Sequence, residues 1–227
     1  MKRSEVNDIL LWAADLMDQY NFKLPPFARW TPKDWAHKGH ECDEIRNNML
    51  GWDITDFGRG DFNRYGLVLF TLRNGNINDP DDPKPYAEKI MVARAEQICP
   101  LHFHWEKIED IINRGGGNLV IELFNSHPDE SLDDGSEVNV KCDGVRRTVQ
   151  PGEPLTLRPG ESITLTQGLY HRFYGEPGAG PVLIGEVSAV NDDTQDNRFA
   201  EDKGRFPDFE PDEPPLYYLC NEYPAAQ

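Results

Sequence analysis

The stretch Pro100-Leu-His-Phe-His-Trp-Glu-Lys-Ile-Glu-Asp110 decides how the rest of the chain is read. His102 and His104 are two residues apart, and along a strand side chains alternate in direction, so both imidazoles face the same space. Neutral imidazole is a common ligand for first-row divalent ions, and an added carboxylate turns the preference toward harder ions such as manganese or iron. Glu109, five residues beyond His104, supplies that carboxylate where the strand is expected to turn. A fourth ligand has to come from elsewhere, and Thr166-Gln-Gly-Leu-Tyr-His171, after a run of alternating strand-like residues, offers His171. Groups so scattered in sequence meet only in a fold that returns the chain to one spot.

A His-x-His pair by itself arises readily by chance in a chain with six histidines. The combination carries more: the pair, Glu109, Gly116 seven residues later, and a single later histidine preceded by Gly168. Together these resemble the two metal-binding motifs of the cupin superfamily, with Thr166 where a proline is usual and Gly175 where an asparagine is usual. The resemblance implies a mainly β fold, a cupin-type antiparallel β-barrel (jelly roll). Glu122 is a second carboxylate that replaces Glu109 as ligand if the strand register differs.

The whole chain agrees with one domain. Its 227 residues suffice to bury a core without disulfides, and Cys42, Cys99, Cys142 and Cys220 form no Cys-x-x-Cys, so reduced thiols are expected. With 23 Lys and Arg against 40 Asp and Glu, the formal charge of -17 opposes binding to nucleic acid or anionic lipid. No apolar signal segment follows Met1-Lys-Arg and no run approaches the ~18 apolar residues of a membrane span, so a cytoplasmic protein is expected.

Three regions are expected: a helical extension over 1–50, the barrel over 51–190, and a wrapping segment over 191–227. Ser4 is placed as the cap of a helix reaching Tyr20, with Val6, Ile9, Leu10, Ala13, Leu16 and Met17 on one apolar face. Pro25-Pro26 ends helical structure, and Phe27, Trp30 and Trp35 follow as core-covering aromatics. His37 and His40 read as surface histidines. Short β-rich runs begin near Trp52 and continue through Val187, punctuated by Asn74-Gly75, Gly115-Gly116-Gly117, Asp143-Gly144, Pro151-Gly152 and Pro159-Gly160. Such frequent turns favour an antiparallel sandwich or small barrel. The last forty or so residues carry Phe199, Phe206, Phe209, Tyr217, Tyr218, Leu219 and Tyr223, too aromatic for a free acidic tail, and are expected to wrap the barrel.

A barrel with three histidines and a glutamate serves many chemistries, so the neighbouring residues must decide. Lys107 lies between His104 and Glu109, Glu186 can face inward from the strand Val182 to Val187, and Val190-Asn-Asp-Asp-Thr-Gln-Asp-Asn-Arg-Phe199 is dense in groups suited to a polyhydroxylated ligand. The strings His102 to Gly117, Gly185 to Asp193, Asp196-Asn-Arg-Phe199 and Leu219-Cys-Asn-Glu-Tyr223 are similar to the D-lyxose isomerase family of bacterial cupins. What the resemblance implies is a manganese-dependent aldose-ketose isomerase acting on D-lyxose and D-xylulose, with D-mannose and D-fructose as further substrates, assembled as a homodimer. Within that reading His102, His104, Glu109 and His171 hold the ion, Glu186 carries the proton and Lys107 stabilises the oxyanion. Asp192, Asp196 and Arg198 contact the sugar. The competing readings are an iron cupin dioxygenase, which keeps the same ligands, and a non-catalytic sugar-binding cupin.

Overall fold

A computed structural model describes residues 1–79, 81–192, 195–201 and 209–226. One long helix, α1 (Arg3–Gln19), precedes the strands β1 (Gly51–Thr55), β2 (Leu67–Arg73), β3 (Tyr86–Ala93), β4 (Ile98–Phe103), β5 (Glu109–Gly116), β6 (Leu119–Ser126) and β7 (Leu132–Asp133). There follow β8 (Val138–Cys142), β9 (Val145–Val149), β10 (Leu155–Leu157), β11 (Ser162–Leu165), β12 (Tyr170–Gly175), β13 (Val182–Ala189) and β14 (Arg198–Phe199). They form two antiparallel sheets. The larger runs β1-β2-β3-β13-β5-β11-β8-β9 and the smaller β10-β6-β12-β4-β14, with β7 beside β6.

The two inner faces meet in one core. Leu67, Leu69, Met91, Ile111, Ile163 and Ile184 from the larger sheet pack against Leu119, Ile121, Leu123, Cys99 and Phe173 from the smaller. Where the outer face is wet, strands alternate, as in β8 with buried Val138, Val140 and Cys142. Strands β2 and β3 read as continuous apolar runs for a different reason: their outer residues Val68, Phe70, Ile90 and Val92 are covered by α1 through Val6, Ile9, Leu10, Ala13, Leu16 and Met17. The 3.6-residue stripe of the helix and the back of the sheet therefore make a second core. Among the described residues, no helix is long and apolar enough to cross a membrane. All four cysteines are buried free thiols.

Ser4 is not the cap of α1. The helix starts at Arg3 with Lys2 in the capping position and no side-chain cap of its own. Asp212 supplies one from far along the chain, its carboxylate accepting the Ser4 N–H at 3.0 Å and the Ser4 hydroxyl at 2.6 Å. An anion there also suits the positive end of the helix. The same segment knits further: Asn7 donates to Glu213 and Pro214 and accepts from Leu216 N, while Arg3 pairs with Glu222. Tyr223 stacks on Trp35 with ring centroids 4.2 Å apart, and its hydroxyl donates to the Leu50 carbonyl. Phe209, Tyr217 and the fully buried Leu219 join the helix-side core. Phe199 instead packs against the inner core, and Phe206 lies outside the described residues.

Removal of residues 209–227 should therefore leave a sheet that still forms but a markedly less stable protein. At this chain length each 1 kcal/mol moves the thermal midpoint by about 2–4 °C, and the lost burial predicts a fall of roughly 10 °C or more by calorimetry.

Candidate metal centre and active site

The site lies in the gap between the sheets. The smaller sheet contributes the histidines: β4 and β12 are neighbours, with His102 directly opposite His171. His104 follows immediately after β4 ends at Phe103, where the chain crosses to the larger sheet. Glu109 opens β5 on that sheet, paired with Leu165 and Ser188. Gly168 adopts φ +69° in the turn before β12, a conformation that glycine takes without strain, and its N–H donates to the His104 carbonyl at 2.9 Å. The two motifs are thereby tied at the backbone.

Each imidazole is fixed by a main-chain carbonyl. His102 Nδ1 donates to Pro100 O at 2.8 Å, His104 Nδ1 to Asp196 O at 2.7 Å, and His171 Nδ1 to Leu169 O at 3.0 Å. A carbonyl only accepts, so each Nδ1 carries a proton and Nε2 is the nitrogen turned toward the cavity. The three rings converge so that one potential ligand atom of each lies within 4.8 Å of the others. Burial, followed by the nearby His171 and His104, pushes His102 well below the ordinary histidine value, which keeps it neutral.

Glu109 Oε1 sits 3.2 Å from His171 Nε2 and 3.5 Å from His104 Nε2. Burial raises the Glu109 carboxyl, but the Lys107 charge and the contacts with His104 and His171 outweigh it and hold it well below the usual carboxylate range. His171 Nε2 is buried with no hydrogen-bond partner. Three imidazoles, each oriented from behind by a carbonyl, and a carboxylate held by Lys107 are a donor set that fits a divalent first-row ion.

Beside it are two cations and a second carboxylate. Lys107 Nζ is 2.8 Å from Glu109 Oε2 and 2.9 Å from Glu186 Oε1. Lys89, opposite Glu186 in the β3–β13 ladder, brings its Nζ to 3.4 Å from the same oxygen. Asn191 Oδ1 accepts from Lys89 at 2.7 Å and from Lys107 at 3.2 Å. Lys89 and Lys107 are each 3% exposed, and such buried charges persist only when paired and hydrogen-bonded, as here. Sequence reasoning overlooked Lys89. The signal was present: a lysine two residues before Met91 in an apolar strand must share the core face with it.

The expected sugar contacts fall differently. Asp196 spends its carboxylate on the backbone N–H groups of Trp105 (2.8 Å), Glu106 (2.8 Å) and Lys107 (2.9 Å), so it holds the crossing loop instead of facing a ligand. In β14 the alternation puts Phe199 inward, its ring 5.3 Å from that of His102. Arg198 consequently turns outward, 3.4 Å from Glu130, and the structure does not bring it to the histidines. Asp192 lines a separate chamber and its carbonyl accepts from Gln195 and Asp196. Glu122 is likewise excluded as a ligand by register: it lies opposite Arg172, next to the inward His171, and binds Arg172 and the Tyr174 hydroxyl on the outer face. His40 does have an acidic partner, Asp43 at 2.8 Å, but on the open surface.

Comparison with known proteins agrees with this architecture. The family profile described as D-lyxose isomerase matches residues 1–223. A D-lyxose/D-mannose isomerase of Serratia proteamaculans is 50% identical over 224 residues, covering 98% of each chain. Its counterpart from Escherichia coli O157:H7 is 49% identical over 224 residues, again covering 98% of each. Among solved structures, the ligand-free L-ribose isomerase of Cellulomonas parahominis superposes with a TM-score of 0.58 at 17% identity, covering 88% of this chain and 93% of that one. At that identity the likeness speaks for the fold alone.

Replacing His104 or His171 by Ala should abolish stoichiometric divalent-ion binding, read by elemental analysis, with the far-ultraviolet dichroism of the sheet preserved. Asp196→Ala removes no ligand, yet it frees the loop that carries His104. Because disturbing the partners that orient ligands typically costs ~10–100-fold in metal affinity, a weakening of that size in a competition titration is expected.

Proposed function

The chain belongs to the D-lyxose isomerase family, and on that premise we propose that it interconverts D-lyxose and D-xylulose, and D-mannose and D-fructose, by moving a proton between C2 and C1 within the barrel. The observation that carries the reading is the buried contact of Glu186 with Lys107 and Lys89 immediately beside the three-histidine, one-glutamate set.

Aldose-ketose isomerisation needs a base for the C2 proton, stabilisation of the charge that develops on O1 and O2, and delivery of the proton to C1. A divalent ion held by His102, His104, Glu109 and His171, which we take to be manganese, would polarise the two oxygens as a Lewis acid without changing oxidation state. Glu186 takes the proton from C2 and returns it to C1 on the same face, the course of a cis-enediol mechanism. Lys107, between Glu109 and Glu186, donates to the developing oxyanion or moves a hydroxyl proton. Lys89 and Asn191 fix the Glu186 carboxylate and the Lys107 ammonium in place, which lowers the reorganisation needed when charge moves. Phe199 and the inner-core residues Phe57, Leu67 and Leu69 wall the cavity and exclude bulk water. Neither the dioxygenase nor the purely sugar-binding reading gains support from this site, and relatives about half identical to the chain carry isomerase names. The setting implied by the family resemblance is a cytoplasmic homodimer, open to a sedimentation measurement.

Glu186→Gln keeps the shape and removes the base, so turnover of D-lyxose should fall by ~10²–10⁴ with the metal content unchanged. In deuterated water the wild-type enzyme should place solvent deuterium at C1 of D-xylulose, detected by proton NMR. A near-normal rate in the variant moves the proton transfer to Glu109 or Lys107.

A further inference from the structure

We propose that Asn74, which follows the last residue of β2 and does not line the metal-binding cavity, is a positioning residue for the proton-transfer groups: it holds Asn191, and through Asn191 the ammonium groups of Lys107 and Lys89. The proposal rests on the isomerase reading for what the lysines do, and on hydrogen bonds alone for how they are held.

Asn191 lies two residues past the end of β13, the strand that carries Glu186. Its Oδ1 accepts from Lys89 Nζ at 2.7 Å and from Lys107 Nζ at 3.2 Å. Ammonium groups only donate, so the carboxamide must present its oxygen to both; turned over, its NH₂ would face two cations. A neutral amide also gives each lysine an acceptor without adding charge where Lys107 already faces Glu109 and Glu186. A side chain on a connecting segment keeps such an orientation only if its backbone is fixed.

Asn74 fixes it. The Asn191 N–H donates to Asn74 Oδ1 at 2.9 Å, and the Asn191 carbonyl accepts from Asn74 Nδ2 at 2.9 Å. One carboxamide thus takes both main-chain groups of Asn191, as a neighbouring strand would. Asn74 is itself anchored, because its carbonyl accepts from Asn48 Nδ2 at 2.9 Å and the same Nδ2 donates to Asp82 Oδ2 at 2.7 Å. Asn76 closes the set by donating to Asn48 Oδ1 at 3.3 Å. Asn48 and Asn74 are both buried. Buried carboxamides are costly unless satisfied, and a satisfied network rigidifies the segments it joins. The packing agrees: a Cβ on Gly75 would collide with the Lys84 carbonyl and lie 2.9 Å from Val190 Cγ2, so the β2–β3 hairpin closes directly on the residue before Asn191.

The test uses the manganese-loaded enzyme with D-lyxose. Asn74→Leu keeps the volume and removes both bonds to Asn191; since a misplacement of ~1 Å in catalytic groups can cost ~10²-fold, kcat should fall ~10–100-fold with KM and metal content near those of wild type. A role in stability alone would lower the thermal midpoint and leave kcat per folded site unchanged. Asn191→Leu should lose at least as much, and the double variant should be no slower than Asn191→Leu, because residues acting in series do not multiply their effects. Should Asn74→Leu fail to fold, Asn74→Asp decides: it keeps the acceptor for the Asn191 N–H and loses one donor, for a fall of ~3–10-fold. Crystal structures of the folded variants should show Asn191 Oδ1 moved out of hydrogen-bond range of Lys107. Unchanged kcat, losses that multiply in the double variant, or an intact Asn191–Lys107 contact overturns the positioning role. Wild-type enzyme without turnover overturns the isomerase reading instead, and the crystallographic readout then still decides whether Asn74 holds Asn191.

Discussion

The hydrogen bonds from the backs of three imidazoles to three main-chain carbonyls set the terms for everything else in this molecule. With Nδ1 of His102, His104 and His171 committed to Pro100, Asp196 and Leu169, each ring has one tautomer and a narrow range of orientation. Two of those carbonyls lie two residues upstream of the histidine they hold, so the strand itself fixes the ring. The third comes from residue 196, and only a chain that folds back over the site can provide it. The convergence of three rings that could hold a cation is thus a property of the backbone trace.

The site also explains why the barrel needs two sheets of unequal character. The smaller sheet carries His102 and His171, with His104 just past the end of β4, whereas the larger carries the charges: Glu109 on β5, Glu186 on β13 and Lys89 on β3. A wet outer face behind these strands would let water reach and loosen the charged row. The α1 layer covers the outer faces of β2 and β3, behind Lys89, whereas β5 alternates and keeps Arg114 exposed on its outer face. The helix that looks like a peripheral attachment thus shields the strand that carries Lys89 from water on its far side.

Much of this was legible from the residues. The turn punctuation marks the strand borders best between β8 and β11, where Asp143-Gly144, Pro151-Gly152 and Pro159-Gly160 fall between β8 and β9, after β9 and after β10, whereas β5 opens at Glu109, where the sequence reading places a turn. His102, His104 and His171 converge with Glu109 beside them, and the His-x-His pair and the later histidine carry that convergence in the sequence. What escaped were features set by tertiary partners. Ser4 looks like a helix cap by its own chemistry, and only the return of Asp212 shows that it is a capped residue. Asp196 and Arg198 look like sugar contacts by composition. The pairing of β14 with β4 gives Phe199 the inward face, and the backbone amides of 105–107 take the Asp196 carboxylate. Lys89 could be placed beside Glu186 only once β3 and β13 were known to be neighbours.

Asp196 holds His104 by its carbonyl and the loop behind His104 by its carboxylate. One residue of the C-terminal segment is thus a mechanical part of a ligand contributed from a strand more than ninety positions earlier. Thermodynamic reciprocity then applies: whatever free energy the docked segment adds to ion binding, the bound ion must return as docking of the segment. Occupancy of the three-histidine group by an ion would then be coupled to docking of residue 196 behind His104. Were an ion held there, its removal would also loosen the wall that Phe199 forms over the cavity.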